Sequence, residues 1–154
     1  MAMNVIIVGG GKVGRHLAKL LLAGGHAVKL IELESTETAP LQTDLPAHSL
    51  IIGSGTDPAV LESAGVRQAN VLAAVTGLDE INLVACSLAR FEFGVPRTIA
   101  RVNHPKNAWM YTAAMGVDVA MNPADLMAHL IAEEMSVGDM VTLLKLRKGQ
   151  YSLV

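Results

Sequence analysis

Asn4-Val5-Ile6-Ile7-Val8-Gly9-Gly10-Gly11-Lys12-Val13-Gly14 stands at the head of the chain, and its reading decides the fold. An apolar run ends in glycines at Gly9, Gly11 and Gly14, and Val13, Leu17, Leu20 and Leu21 follow at helical spacing. Next come Gly24-Gly25-His26, a second apolar run from Ala27 to Ile31, and an acid at Glu32. Strand, tight turn, helix, strand and carboxylate form the order that a dinucleotide-binding βαβ unit requires.

Each part has a physical task. Gly9 permits a sharp turn out of the strand, Gly11 lets a pyrophosphate approach a backbone with no Cβ, and Gly14 lets the helix sit close on the sheet. The helix offers unpaired N–H groups and a positive end to phosphates. Glu32 stands 18 residues past Gly14, where its carboxylate accepts from ribose hydroxyls. A carboxylate there fits a free 2′-OH, so the expected ligands are NAD-like or adenine mononucleotides rather than NADP. A glycine cluster alone also marks ordinary turns, so the whole ordered set carries this reading.

A chain of 154 residues fits one domain that buries roughly two thirds of its unfolded surface. Lys and Arg number 12 against 14 Asp and Glu, a balance that steers the chain toward neither nucleic acid nor anionic lipid. With 51% apolar and 17% charged residues and a mean hydropathy of +0.41, some apolar surface is expected to meet a partner. The one cysteine, Cys86, excludes an internal disulfide and falls in an apolar helical pattern, as a buried small hydrophobe. With no apolar stretch of 18 residues and no signal peptide, the expectation is a cytoplasmic chain.

Further along, Glu34 to Asp44 reads as a short helix or loop, and Ser49 to Ile52 as a third strand ending in Gly53-Ser54-Gly55-Thr56. Thr56 or Asp57 caps the next helix, with Pro58 early in it. Asn70 to Val75 is a fourth strand, and a long helix follows from about Asp79 to Phe93, with Leu83, Val84, Ser87, Leu88 and Phe91 on its apolar face. Arg97 to Val102 is a fifth strand, Pro105 to Met115 a helix, Val117 to Met121 a sixth strand, and Pro123 starts a helix to about Glu134. The expected fold class is α/β, a three-layer Rossmann-like fold with a mostly parallel six-stranded sheet. A crossover helix and short C-terminal strand or strands follow: Ser136 to Asp139 reads as a turn, Met140 to Leu146 as a strand, and Tyr151 to Val154 as the start of another. Residues 1–135 then form the nucleotide-binding domain with its crossover helix, and 136–154 a connector. An end on a fresh strand fits a piece of something longer, or a natural edge hairpin.

Three segments, Gly53-Ser54-Gly55-Thr56-Asp57-Pro58, Ala74 to Asn82 and Ile99 to Asn103, follow the glycine loop in order. Together they resemble the N-terminal nucleotide-binding domain (RCK or KTN, TrkA-N type) of the Trk/Ktr potassium-uptake regulatory proteins, over residues 4 to about 135. The resemblance implies a cytoplasmic regulator, peripheral to the inner face of the cell membrane through a membrane potassium transporter or channel subunit. It implies a homodimer, with a tetramer or octameric ring at full length, that binds NAD(H), ATP, ADP or AMP and gates the membrane partner. By position it assigns the ligand site to Gly9, Gly11, Lys12, Val13, Gly14, Glu32, Leu33, Gly53, Ser54, Gly55, Thr56, Thr76, Gly77, Asp79 and Arg101. Three departures stand out. Lys12 replaces a frequent Arg, Ser54 replaces the Asp of a Gly-Asp-Ala-Thr loop, and Ala124 occupies a place where some relatives hold a cation through Glu. No metal site is carried over.

The residues leave two rivals. A small NAD(H)-binding oxidoreductase needs a proton donor beside the nicotinamide, and His16, His26, His48, His104 and His129 offer no placed base or metal-ligand spacing. A scaffold with a vestigial pocket keeps the fold and loses the ligand. The favoured reading has no catalytic residue and is a nucleotide-driven switch. In it Leu126, Met127, Leu130, Ile131 and Met135 make the crossover helix the contact element, unless that helix folds back on its own sheet.

Overall fold

β1 (Asn4–Val8) lies at the middle of the sheet in the computed structural model, which describes residues 1–33 and 44–147 and side chains as far as Val137. Val5, Ile6, Ile7 and Val8 are each at most 4% exposed, because β1 has a strand on either side and covered faces above and below. Each such side chain contributes about 1.5–3 kcal/mol of burial. A continuous apolar run, rather than an alternating one, is what a central parallel strand needs.

α1 (Lys12–Ala23) leads to β2 (Ala27–Glu32) and then to β3 (Leu50–Ile52). α2 (Pro58–Ser63) starts with Pro58 behind Asp57, whose carboxylate accepts the Ala59 N–H at 2.9 Å. β4 (Val71–Ala74), α3 (Asp79–Ser87), β5 (Arg97–Arg101) and β6 (Val119–Met121) complete the sheet, all strands parallel, in the order β3-β2-β1-β4-β5-β6. One face buries Ile6, Val8, Leu61, Ala85, Cys86 and Ala89, and the other Val5, Ile7, Ala18, Val28 and Leu30. Cys86 is fully buried, and burial pushes its thiol up to about 12.

Several expected elements take another form. α3 passes into a π-helical turn over Leu88–Glu92, and its packed side is Asn82, Ala85, Cys86 and Ala89. Val84 and Phe91, expected on that face, are 43% and 64% exposed, because small residues let the helix approach the sheet and turn its bulkier side outward. Likewise α1 packs through Gly14, Leu17, Ala18 and Leu21, while Val13 and Leu20 rim an apolar groove above β4, β5 and β6. The helix expected over Pro105 to Met115 is two 3-10 segments, Pro105–Met110 and Ala113–Met115.

Met1–Asn122 forms one compact unit and the chain from Pro123 a second. The second contains α4 (Pro123–Arg147), so Ser136 to Asp139 is not a turn and Met140 to Leu146 is not a strand. Gly138 inside a helix costs about 1 kcal/mol, too little to break a helix of 25 residues. Leu126, Met127, Leu130, Ile131 and Met135 are all about half exposed or more. Among the described residues no helix is long and apolar enough to cross a membrane. Glu34 to Thr43, most of the expected loop before Pro46, and the strand expected at Tyr151 lie outside the described residues.

Candidate nucleotide-binding cleft

The strand order reverses at β1: the chain leaves β1 toward β2 on one side, and leaves β4 toward β5 on the other. Loops following the two strands therefore diverge, and a crevice opens outside their carboxyl ends. A cleft of about 320 Å³ lies there. It is lined by residues 8–13 at the end of β1, Ile31, Glu32 and Leu33 at the end of β2, and Gly53, Ser54 and Gly55 after β3. Val75, Thr76, Gly77, Leu78 and Ile81 after β4, with Arg101 at the end of β5, complete the lining.

The glycines divide into two kinds. Gly9 has φ +115° and gives its N–H to the Ile31 carbonyl at 2.9 Å, and a Cβ on Gly14 would stand 1.8 Å from the Gly9 carbonyl oxygen. The fold itself requires these two. Among the described residues a Cβ on Gly11 or Gly77 would meet nothing within 4 Å. Packing does not call for glycine there; open access to the cleft is what a missing Cβ gives.

Gly11 caps α1 with no side-chain acceptor, and the first turn carries no acid. The opening N–H groups and the positive end of the helix are thus left for a ligand, with the exposed Lys12 beside them. Glu32 turns its carboxylate onto the main chain. Oε1 accepts from Leu33 N–H at 2.9 Å, and Oε2 makes a short bond from Gly10 N–H. The acid at the end of β2 therefore also ties that strand to the glycine loop. Ser54 Oγ accepts the Thr56 N–H at 3.2 Å and shares a 2.7 Å bond with the Thr56 hydroxyl. Thr56 supports Ser54 from behind and does not line the cleft.

Behind Thr76 and Gly77 is a buried polar cluster. Asn82, fully buried, accepts Thr76 N–H and Oγ1–H through Oδ1 at 2.9 and 2.6 Å. Its Nδ2 donates to the carbonyls of Thr76 and Arg101 at 3.0 and 2.8 Å. Asp79, 4% exposed, accepts the backbone N–H groups of Asn103 and His104 and the side-chain amides of Asn103 and Asn107 at 2.6 to 2.9 Å. Burial by itself would raise this carboxyl, but those donors outweigh it and lower it to about 2. Tyr111 closes the cluster with a short bond to the Asp79 carbonyl; burial, then the Asp79 charge, raises its phenol to about 12.

Of the residues the sequence assigns, Gly9, Gly11, Lys12, Val13, Glu32, Leu33, Gly53, Ser54, Gly55, Thr76, Gly77 and Arg101 line one cleft. Gly14, Thr56 and Asp79 stand behind its wall. Arg101 reaches it with Nε buried and without a partner among the described residues. Among the described residues no ion pair joins Arg101 to Asp79 or Glu80; the Asp79 carboxylate is filled by amides. Val8, Gly10, Ile31, Val75, Leu78 and Ile81 line the cleft unassigned; Gly10 was legible as the variable residue of the glycine motif, Val8, Ile31 and Val75 as the ends of their strands, and Leu78 and Ile81 only from the turn into α3. No three His, Cys, Asp or Glu side chains converge among the described residues.

Strand order, glycine loop and a cleft at the reversal define a Rossmann-type nucleotide-binding domain. Residues 5–123 match the family model described as the TrkA-N domain, and the chain belongs to that family. It is 38% identical over 152 residues to the Trk system potassium uptake protein TrkA of Mycobacterium tuberculosis (strain CDC 1551 / Oshkosh), covering 99% of this chain and 68% of that protein. It is 44% identical over 121 residues to a TrkA homolog of Methanothermobacter thermautotrophicus (strain ATCC 29096 / DSM 1053 / JCM 10044 / NBRC 100330 / Delta H), covering 79% of this chain and 55% of that one. Two solved structures share the fold. The GsuK channel bound to NAD has TM-score 0.71 and 21% identity, over 93% of this chain and 25% of that chain. The Shewanella denitrificans Kef CTD in AMP bound form has TM-score 0.70 and 22% identity, over 87% of this chain and 80% of that chain.

Proposed function

We propose that the chain is a nucleotide-binding regulatory domain of a potassium uptake or channel system, not an enzyme. An adenine nucleotide occupies the cleft, NAD(H), ATP, ADP or AMP. Glu32 and Leu33 hold its ribose, Gly53, Ser54 and Gly55 border its adenine, and Gly9, Gly11, Lys12 and Val13 receive its phosphates at the start of α1. Thr76, Gly77 and Arg101 face whatever lies beyond the phosphates. The observation that carries this reading is the pair of glycines, Gly11 and Gly77, that no atom of the described residues requires and that both face the cleft. The TrkA-N family and the NAD and AMP bound in the two structural neighbours support the same ligand class.

Regulation follows from differential binding: a nucleotide moves an assembly only as far as it prefers one arrangement to another. The assembly is a homodimer, enlarged to a tetramer or octameric ring in a longer protein, lying in the cytoplasm against a membrane potassium transporter. Calorimetric titration of nucleotide-free protein with ATP, ADP, AMP, NAD and NADH tests the site. At least one is expected to bind in the micromolar range without turnover. Glu32→Ala weakens it about tenfold or more through loss of charged hydrogen bonds. No binding below about a millimolar by any of them would favour the scaffold instead.

A further inference from the structure

We propose that Asp79 is a positioning residue for the distal half of the cleft: it clamps the segment after β5 to the loop after β4, so that Arg101 and Thr76 present one wall of fixed width to the part of a ligand beyond its first phosphate. This rests on the nucleotide reading above. The site residues lie along the sheet in strand order. Glu32 ends β2, the glycine loop ends β1, Thr76 follows β4 and Arg101 ends β5. From β2 to β5 is three strand spacings, about 14 Å. That is longer than the reach from a ribose hydroxyl to its own 5′-phosphate, so a monophosphate seated on Glu32 stops at the glycine loop. Only a longer ligand meets Arg101.

What fixes Arg101 is not its own side chain, whose Nε is buried and unpartnered among the described residues. Its carbonyl is tied to Asn82, which also holds both main-chain groups of Thr76. Two residues on, Asn103 gives its backbone N–H to Asp79 and shares its side-chain amide between Asp79 and the Thr76 carbonyl. Asp79 therefore anchors the chain leaving β5 from its own place in the first turn of α3. A neutral residue there would leave buried N–H groups unmatched and release the two loops from one another.

Calorimetry on the full chain with AMP and NAD separates this from a plain structural role. In Asp79→Asn the affinity for NAD is expected to fall about tenfold and that for AMP less than about twofold. Arg101→Gln should reproduce that selectivity. In the double variant the NAD loss should be smaller than the product of the single losses, because one residue acts through the other. Equal loss of AMP and NAD, unchanged NAD binding, or full additivity overturns the proposal. Should Asp79→Asn not fold, Asn103→Ala, which keeps the backbone bond to Asp79, carries the same comparison. A wild-type chain that binds neither ligand fails the nucleotide reading itself, whereas parallel losses in a wild type that binds fail only the role of Asp79.

Discussion

On the β2–β3 side the cleft is walled largely by main chain. Glycines bring the backbone close, and Glu32 bonds to the amides of Gly10 and Leu33. On the β4–β5 side the wall is held by side chains. Asp79, Asn82 and Asn103 fill the space behind Thr76 and Arg101 with hydrogen bonds. A backbone wall is fixed as soon as the strands pair, but a wall held by buried polar groups depends on every donor finding its acceptor. The first side suits a moiety that every ligand shares, the second a part that differs between them.

Three changes probe that contrast. The largest effect is expected at Gly14→Ala. Its Cβ would lie 1.8 Å from a backbone oxygen, so α1 must lift from β1. A loss of roughly 3–5 kcal/mol in thermal or urea unfolding is expected, and a loss under 1 kcal/mol would show that the helix has room to yield.

Next is Asp79. Its carboxyl lies lower in the folded chain, at about 2, than its usual 3.8, so the folded state favours the ionised form. The resulting stability is complete above the unfolded value and is lost as pH falls from about 4 toward 2. It amounts to about 2 kcal/mol. Asp79→Asn should be destabilised by at least that much near neutrality and should flatten this acid limb. Matching acid limbs in urea titrations of the two proteins would remove the charge from the account.

Gly11→Ala gives the smallest change in stability, within about 1 kcal/mol as expected for an N-cap, since its Cβ meets no atom of the described residues. Its nucleotide affinity should still fall about tenfold. Unaltered binding by this variant would mean that the phosphates do not approach Gly11.

The main-chain side was open to sequence reading because backbone needs leave a fixed signature: glycines at set spacing after an apolar strand, and an acid after the next. Asp79, by contrast, was assigned to the ligand site by resemblance and suits a helix N-terminus equally well, and nothing local shows that its partners are Asn103, His104 and Asn107. Their pairing exists only once β4 and β5 lie side by side. Leu83 and Leu88 pack against the core as expected, but the rest of the packed face of α3 was missed for a related reason. Ala85 and Ala89 weigh little in an apolar pattern, yet they permit the closest contact, while the bulkier Val84 and Phe91 point outward. The turn expected at Ser136 to Asp139 contains Gly138, whose local cost a long helix absorbs.

Trp109 is the single indole of the chain and stands 75% exposed in the 3-10 segment two residues past Asn107. Selective excitation therefore reads one known place, with no second emitter to subtract. Asn107 connects that place to Asp79. The chain carries its own optical label on the side of the cleft held by side chains, and none on the side held by backbone.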